Sequence, residues 1–211
     1  MEYDLSSVDY ILETTRSVRK RLDLTRPVDR EVVMECLDIA LQAPTGGNAQ
    51  GWKWLIVTDG EKKAKIGEYY KRSFEAYSKG GRIPGRGNPN QLRKVYDSAS
   101  YLANHMGEVP MMVFACVHGR PKIDSVAAGL YGSIIPAAWS LMLALRARGI
   151  GAAWTTLHLA YEKECNKILG IPDNVTTAVL LPVAYFTGET FRKAKRLPAK
   201  ELTYWESWGN Q

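Results

Sequence analysis

The chain has 211 residues, of which 45% are hydrophobic and 24% are charged, and its formal net charge is +6. This composition is typical of a folded globular domain and excludes a disordered or collagen-like chain. The positive charge is concentrated over 16–21 and 192–196. Such clusters are solvated faces or sites for nucleic acid, anionic lipid or a small phosphate. Nucleic acid is not expected, because the chain has no helix-turn-helix, zinc-finger or RNP-type motif.

Metal and disulfide chemistry are not expected. The cysteines are far apart and have apolar neighbours, which predicts buried, reduced thiols; they are Cys36, Cys116 and Cys165. The histidines are not spaced as metal ligands on one helix face; they are His105, His118 and His158. Residues 1–4 are acidic and no apolar signal core follows, which predicts a cytoplasmic protein.

Helices and strands are mixed along the chain. The residue pattern predicts helices over 7–16, 30–43, 60–78 and 91–107, and strands over 52–58, 111–117, 151–156 and 177–185. Asp29 is the expected N-cap of the second helix, and Gly170 with Pro172 should end the helix before the last strand. The centre of 52–58 is apolar on both faces, which predicts a covered sheet. Strict βαβ alternation is missing, so the predicted fold class is α+β with a layered sheet.

Two segments need separate treatment. Residues 79–90 (KGGRIPGRGNPN) hold four glycines and two prolines, which predicts a mobile loop or lid. Residues 126–145 carry no charge and pass the length test for a membrane span. Their glycines, serines and proline argue against a span. The alternative is a helix that is buried on all sides, in a core or in a subunit interface.

The stretch TRSVRKR, over 15–21, offers a phosphate site. Arg16 and Arg19 present planar forks that suit phosphate oxygens, and Ser17 adds a hydroxyl. The alternative is an ordinary basic helix end with Ser17 as its cap.

The stretch APTGGNAQGW, over 43–52, follows one helix later. Gly46 and Gly47 remove side chains where a ring must approach the backbone. Asn48 and Gln50 supply amide donors and acceptors that suit a flat polar ring, with Thr45 beside them. The alternative is a plain turn that ends a helix.

Together the two stretches resemble the FMN-binding signatures of the nitroreductase family, the second of which reads Ala-Pro-Ser-x-x-Asn-x-Gln-Pro-Trp. Residues 147–156 are similar to the family's Gly-Leu/Ile-Gly strand, after which backbone groups bind the N5 and O4 edge of the flavin. By position that role falls on Thr155 and Thr156. The family also carries a basic residue before its C-terminal tail that closes on the flavin phosphate, and here Arg196 matches, with Lys195 beside it.

The resemblance implies a single domain over 1–211, with a C-terminal extension over 187–211. It implies a three-layer fold in which helices flank a mixed, mainly antiparallel sheet, and a homodimer with 126–145 in its interface. The cofactor would be FMN, which takes hydride from NAD(P)H and reduces nitroaromatics or quinones in a ping-pong sequence. Trp154 and the 79–90 loop are the candidates for the acceptor wall. No side chain is assigned as an acid or base.

Alternatives within this resemblance stay open. The same fold hosts flavin-fragmenting enzymes and dehalogenases, and a non-catalytic flavin-storing protein is a further reading. Three departures from the family pattern bear on the site: Thr15 stands where many relatives have arginine, Gly51 replaces a proline, and Thr156-Leu157 replaces Glu-Gly or Gly-Gly.

Overall fold

A computed structural model describes residues 3–79, 89–121 and 126–210. The chain divides into two compact units. The larger unit is Arg16–Gly188, and the smaller unit combines Met1–Thr15 with Glu189–Gln211. The smaller unit contains helix α1, Leu5–Thr14, which begins two residues earlier than predicted because the Asp4 carboxylate caps it by accepting from the backbone N–H groups of Ser6 and Ser7.

The larger unit contains one four-stranded sheet. In chain order the strands are β1 (Trp52–Val57), β2 (Met111–His118), β3 (Ile150–Ala152) and β4 (Val175–Tyr185). Their order across the sheet is β1-β2-β4-β3, and every described pair is antiparallel. Strands β2 and β4 lie in the centre and are buried almost throughout, whereas β1 and β3 form the two edges.

Five helices of this unit are α2 (Arg30–Ala40), α3 (Gly60–Lys79), α4 (Pro89–His105), α5 (Val126–Ala147) and α6 (Glu162–Leu169). One strand face, which includes Val113 and Ala115 of β2, packs in a core cluster with residues of α2 and α5. The alternate residue Phe114 meets His158 edge-on, with ring centroids 5.6 Å apart. His158 belongs to a 3₁₀ turn over Leu157–Tyr161, so the sheet is covered on both faces. The predicted α+β layered fold is confirmed.

Local signals were interpreted correctly where the residues themselves make the bond. Asp29 Oδ1 accepts from the backbone N–H of Glu31 at 2.9 Å and so caps α2. Gly170 adopts a left-handed conformation with φ +68° directly after α6. The three cysteines are buried and free, as predicted.

One strand prediction was wrong. The predicted 151–156 strand is much shorter, since the regular pairing of β3 with β4 ends at Ala152 and only an isolated bridge joins Thr155 to Leu180. The sheet is covered, as the centre of 52–58 predicted, although β1 lies at its edge and its central Leu55 and Ile56 are only half-buried. Helix α2 also ends at Ala40, before Pro44 can stop it.

Helix α5 contains the charge-free segment noted in the sequence. Its Ala127–Ala147 stretch is the only described helix long and apolar enough to cross a membrane, which by itself is weak evidence of a span. Ile134, Ala138 and Leu141 are buried in the core, whereas Ile135 and Trp139 are 42% and 37% exposed. The helix therefore has a buried side and an apolar exposed side.

Candidate functional site

The first and third predicted site stretches lie side by side. Residues 16–19 are not helical, and the backbone N–H of Val18 donates to Ala152 O at 2.9 Å. Ser17 Oγ accepts from the backbone N–H of Trp154 at 3.2 Å. The helix-cap interpretation of Ser17 is therefore wrong, because its hydroxyl binds a segment that lies far away in the sequence.

Two arginine cations approach each other at this edge of the sheet. Burial lowers the pKa of Arg19, the nearby Tyr70 raises it and the charge of Arg16 lowers it. Arg19 Nη1 lies 3.5 Å from Ser98 Oγ on α4. Arg16 itself is exposed. Two like charges held close together, one of them partly desolvated, favour an anion between or beside them.

Thr155 and Thr156 differ in their surroundings. Thr155 is buried, and its Oγ1 donates to Tyr70 Oη at 2.8 Å. Burial raises the pKa of Tyr70, so this phenol is neutral near pH 7. Thr156 is exposed at the start of the Leu157–Tyr161 turn. Sequence reasoning missed Tyr70, which shares the buried face of α3 with Ile66 and Phe74 and so looks like a core residue.

The second predicted stretch has an unusual backbone. Gly47, Asn48 and Gln50 all have positive φ, at +56°, +54° and +47°. Such angles are uncommon for residues other than glycine, and they cluster at ligand-binding sites. A Cβ added to Gly46 or Gly47 would meet nothing within 4 Å, so space lies open above both residues. Gln50 Nε2 donates to Asn48 Oδ1 at 3.0 Å.

Contacts with α5 fix the position of this loop. Thr45 Oγ1 and the backbone N of Gly46 both lie 3.5 Å from Ser133 Oγ. Just after the loop, Trp52 Nε1 donates to Ser133 O at 2.8 Å. Sequence reasoning also missed Ser133, because nothing local links it to a loop that lies 87 residues away.

The two parts of the candidate site lie at opposite edges of the sheet. The loop precedes β1, whose first residue Trp52 is in register with Val117 and, through it, with Thr176. On the far edge, Ala152 is in register with Val183 and Thr155 with Leu180. Strand spacing and rise place the two parts about 20 Å or more apart. This is farther than one isoalloxazine ring spans.

Other predicted residues fall outside these two groups. Lys195 and Arg196 are exposed in the smaller unit, and their role at a phosphate stays a prediction. In the predicted 79–90 loop, Lys79 ends α3 and Pro89 begins α4. Residues 80–88 lie outside the described residues, and the proposed acceptor wall there stays a prediction. Trp154 is half-buried.

The described residues offer no reactive thiol and no metal cluster. Burial raises the pKa of the Cys116 thiol to about 12, which keeps it protonated at neutral pH. The structure, in the ranges it describes, groups no three His, Cys, Asp or Glu side chains as a metal site. The arginines at one edge suit the phosphate of a flavin mononucleotide. The open glycines and the amides at the other edge suit its ring.

Comparison with known proteins decides the family. The sequence model of the nitroreductase family matches residues 12–185. The chain belongs to the nitroreductase family. A putative NAD(P)H nitroreductase of Bacillus subtilis, YfhC, is 25% identical over 195 residues, which is 90% of each chain. The 5,6-dimethylbenzimidazole synthase of Rhodospirillum rubrum is 27% identical over 95% of this chain and 89% of its own.

A solved structure shares the fold of this chain. The crystal structure of an oxidized iodotyrosine deiodinase bound to FMN and 3-iodo-L-tyrosine superposes with a TM-score of 0.70. It is 24% identical and covers 89% of this chain and 94% of that chain. The family match confirms the predicted family, and the shared fold confirms the predicted fold class.

Proposed function

We propose that this family member is an FMN-dependent oxidoreductase that takes hydride from NAD(P)H and reduces electron-poor acceptors such as nitroaromatics or quinones. The observation that carries the proposal is the contact of Ser17 Oγ with the backbone N–H of Trp154. It joins the stretch predicted to hold the phosphate to the stretch predicted to meet the ring edge. The nitroreductase relative and the FMN-bound structure described above support it.

Each part of the site has a separate task in this proposal. Arg16 and Arg19 bind the phosphate through charged hydrogen bonds, and the hydrogen bond from Trp154 holds Ser17 beside them. The open space at Gly46 and Gly47 admits the ring. When bound, FMN supplies the hydride chemistry, and the protein supplies orientation and electrostatics. No described side chain is needed as an acid or base.

The separation of the two parts supports a homodimer. Because about 20 Å or more separates the loop from the Thr155 edge, we propose that each site takes its two parts from different copies. A two-fold axis then makes two equivalent sites. The exposed Ile135 and Trp139 on α5 provide an apolar surface for the second copy.

Mixing two defective variants tests this arrangement. One variant carries Arg16→Ala and Arg19→Ala, and the other carries Asn48→Ala and Gln50→Ala. After unfolding and refolding together, random pairing should restore one intact site in each mixed dimer, or about a quarter of all sites. Bound FMN after gel filtration measures the recovery, and each variant refolded alone is the control. Recovery no greater than in the two controls would contradict a site shared between copies.

A visible spectrum with anaerobic NADH and NADPH titration tests the function itself. We expect a two-band flavin spectrum that bleaches with one or both donors and returns when a quinone is added. Bound FMN that neither donor reduces would instead support a flavin-storing protein. Protein that takes up no FMN would contradict the cofactor assignment.

Dehalogenation is the second candidate, favoured by the similarity to the iodotyrosine deiodinase structure. Its test is iodide release from 3-iodo-L-tyrosine by the chemically reduced protein. Flavin fragmentation, which the resemblance to a dimethylbenzimidazole synthase suggests, predicts loss of the flavin absorbance when the reduced protein meets oxygen.

A further inference from the structure

A groove lies beside the predicted ring-edge residue Thr156. It has a volume of about 470 Å³, within the range of small-molecule sites. Its lining comes from α3 and from the segment that begins at Thr156. These residues are Ser73, Ala76 and Tyr77 of α3, and Thr156, Leu157, Ala160 and Tyr161.

Internal contacts hold the walls of this groove in place. Ser73 Oγ donates to Leu157 O at 2.7 Å and so ties α3 to the 3₁₀ turn. The ring of Tyr161 lies 5.1 Å from that of Tyr69, in a tilted arrangement. The groove is thus formed by a fixed helix and a fixed turn, and it begins at Thr156.

The described side chains that line the groove are all uncharged. Within the described part of the chain, the groove has methyl and isobutyl groups, hydroxyls and two phenol rings, but no charged side chain. Aromatic faces and hydroxyls bind a flat neutral ring with polar substituents. A carboxylate or a zwitterion placed there would lose hydration without gaining a charged partner.

We propose that this groove binds the acceptor, and that Tyr77 and Tyr161 make it select neutral aromatic rings over aromatic carboxylates and amino acids. The inference rests on the proposed function, because Thr156 borders both the groove and the predicted flavin edge. It separates this chain in substrate preference from a deiodinase that binds 3-iodo-L-tyrosine. A second cleft between α3 and α4 differs, since Lys71, Glu75 and Lys79 contribute charge to its lining.

The test compares nitrobenzene with 4-nitrobenzoate, which differ by one carboxylate. For the FMN-loaded protein we expect kcat/KM to favour nitrobenzene at least tenfold. Tyr77→Arg places a cation in the groove and should reverse or abolish that preference. Tyr96→Arg is the matched control, because Tyr96 lines the other cleft, and it should leave the ratio unchanged. An unchanged ratio in Tyr77→Arg, or an equal change in Tyr96→Arg, would overturn the proposal.

A binding measurement separates this inference from the proposed function. Saturation-transfer NMR on protein without added FMN should show nitrobenzene in contact with the protein, and 4-nitrobenzoate only with Tyr77→Arg. If the wild-type protein takes up no FMN but shows this pattern, the proposed function fails, and the selectivity of the groove for neutral rings stands without it. If FMN is bound and reduced but both probes bind equally, the groove assignment fails alone.

Discussion

Arg16→Ala combined with Arg19→Ala is expected to weaken FMN binding about a thousand-fold, since each charged hydrogen bond contributes about 1.5–3 kcal/mol. The larger part should come from Arg19, because it is half-buried and its neighbour Arg16 repels it. Loss of flavin absorbance after gel filtration, followed by titration with FMN, measures the effect. Arg19→Lys should recover only part of it, because lysine keeps the charge but not the planar fork.

The effect of lost positive charge on FMN binding must be distinguished from the effect of losing the two arginine contacts. Lys20→Ala with Lys53→Ala removes the same two charges at exposed positions and should retain FMN. Circular dichroism should show that both double variants are folded. Equal FMN affinity in the two double variants would show that the phosphate does not bind at Arg16 and Arg19.

Acidification from pH 6.5 to pH 4 is expected to lower the free energy of unfolding by about 3 kcal/mol through His158 alone. The ring of His158 is fully buried, and neither nitrogen has a hydrogen-bond partner among the described residues. Burial lowers its pKa to about 4, although the nearby Glu162 carboxylate opposes this shift. The unfolded chain therefore takes up a proton over this pH range and the folded chain does not.

Because the pKa of His158 is lower in the folded chain, its neutral form stabilises the protein at high pH and this stabilisation is lost at low pH. The contribution of the neutral His158 ring to the free energy of unfolding is complete above pH 6.5. It falls as the pH decreases and does not fall further below about pH 4. Urea unfolding at several pH values measures it, at one protein concentration. His158→Leu should flatten the difference between pH 6.5 and pH 4 relative to wild type, whereas His118→Gln, at an exposed position, should not. An identical pH profile for His158→Leu and wild type would show that His158 is not held neutral.

Sequence reasoning succeeded where neighbours in the chain decide the structure. The Asp29 cap and the left-handed Gly170 need only a few residues on either side. The two central strands carry enough apolar residues to be recognised without their partners. The two predicted site stretches, over 15–21 and 43–52, were also recognisable, because their residue types are unusual and closely spaced.

The local sequence pattern does not contain the order of the strands in the sheet. Whether residue 153 continues a strand depends on its pairing with β4, which its neighbours in the sequence do not determine. The contact of Thr155 with Tyr70 joins residues 85 positions apart. No spacing rule in the sequence connects them, because the packing of α3 against the turn at Leu157 brings Tyr70 to Thr155.

In the proposed dimer, the opposite-edge placement of the two site halves has a thermodynamic consequence. A ligand gripped by two copies links its own binding equilibrium to their association, and linkage is reciprocal. Whatever factor pairing adds to FMN affinity, FMN must add to the affinity of the copies for each other. Dilution would then release the cofactor and the partner together. The midpoint temperature of thermal unfolding would rise with protein concentration, because a higher concentration keeps more of the protein as the FMN-bound dimer.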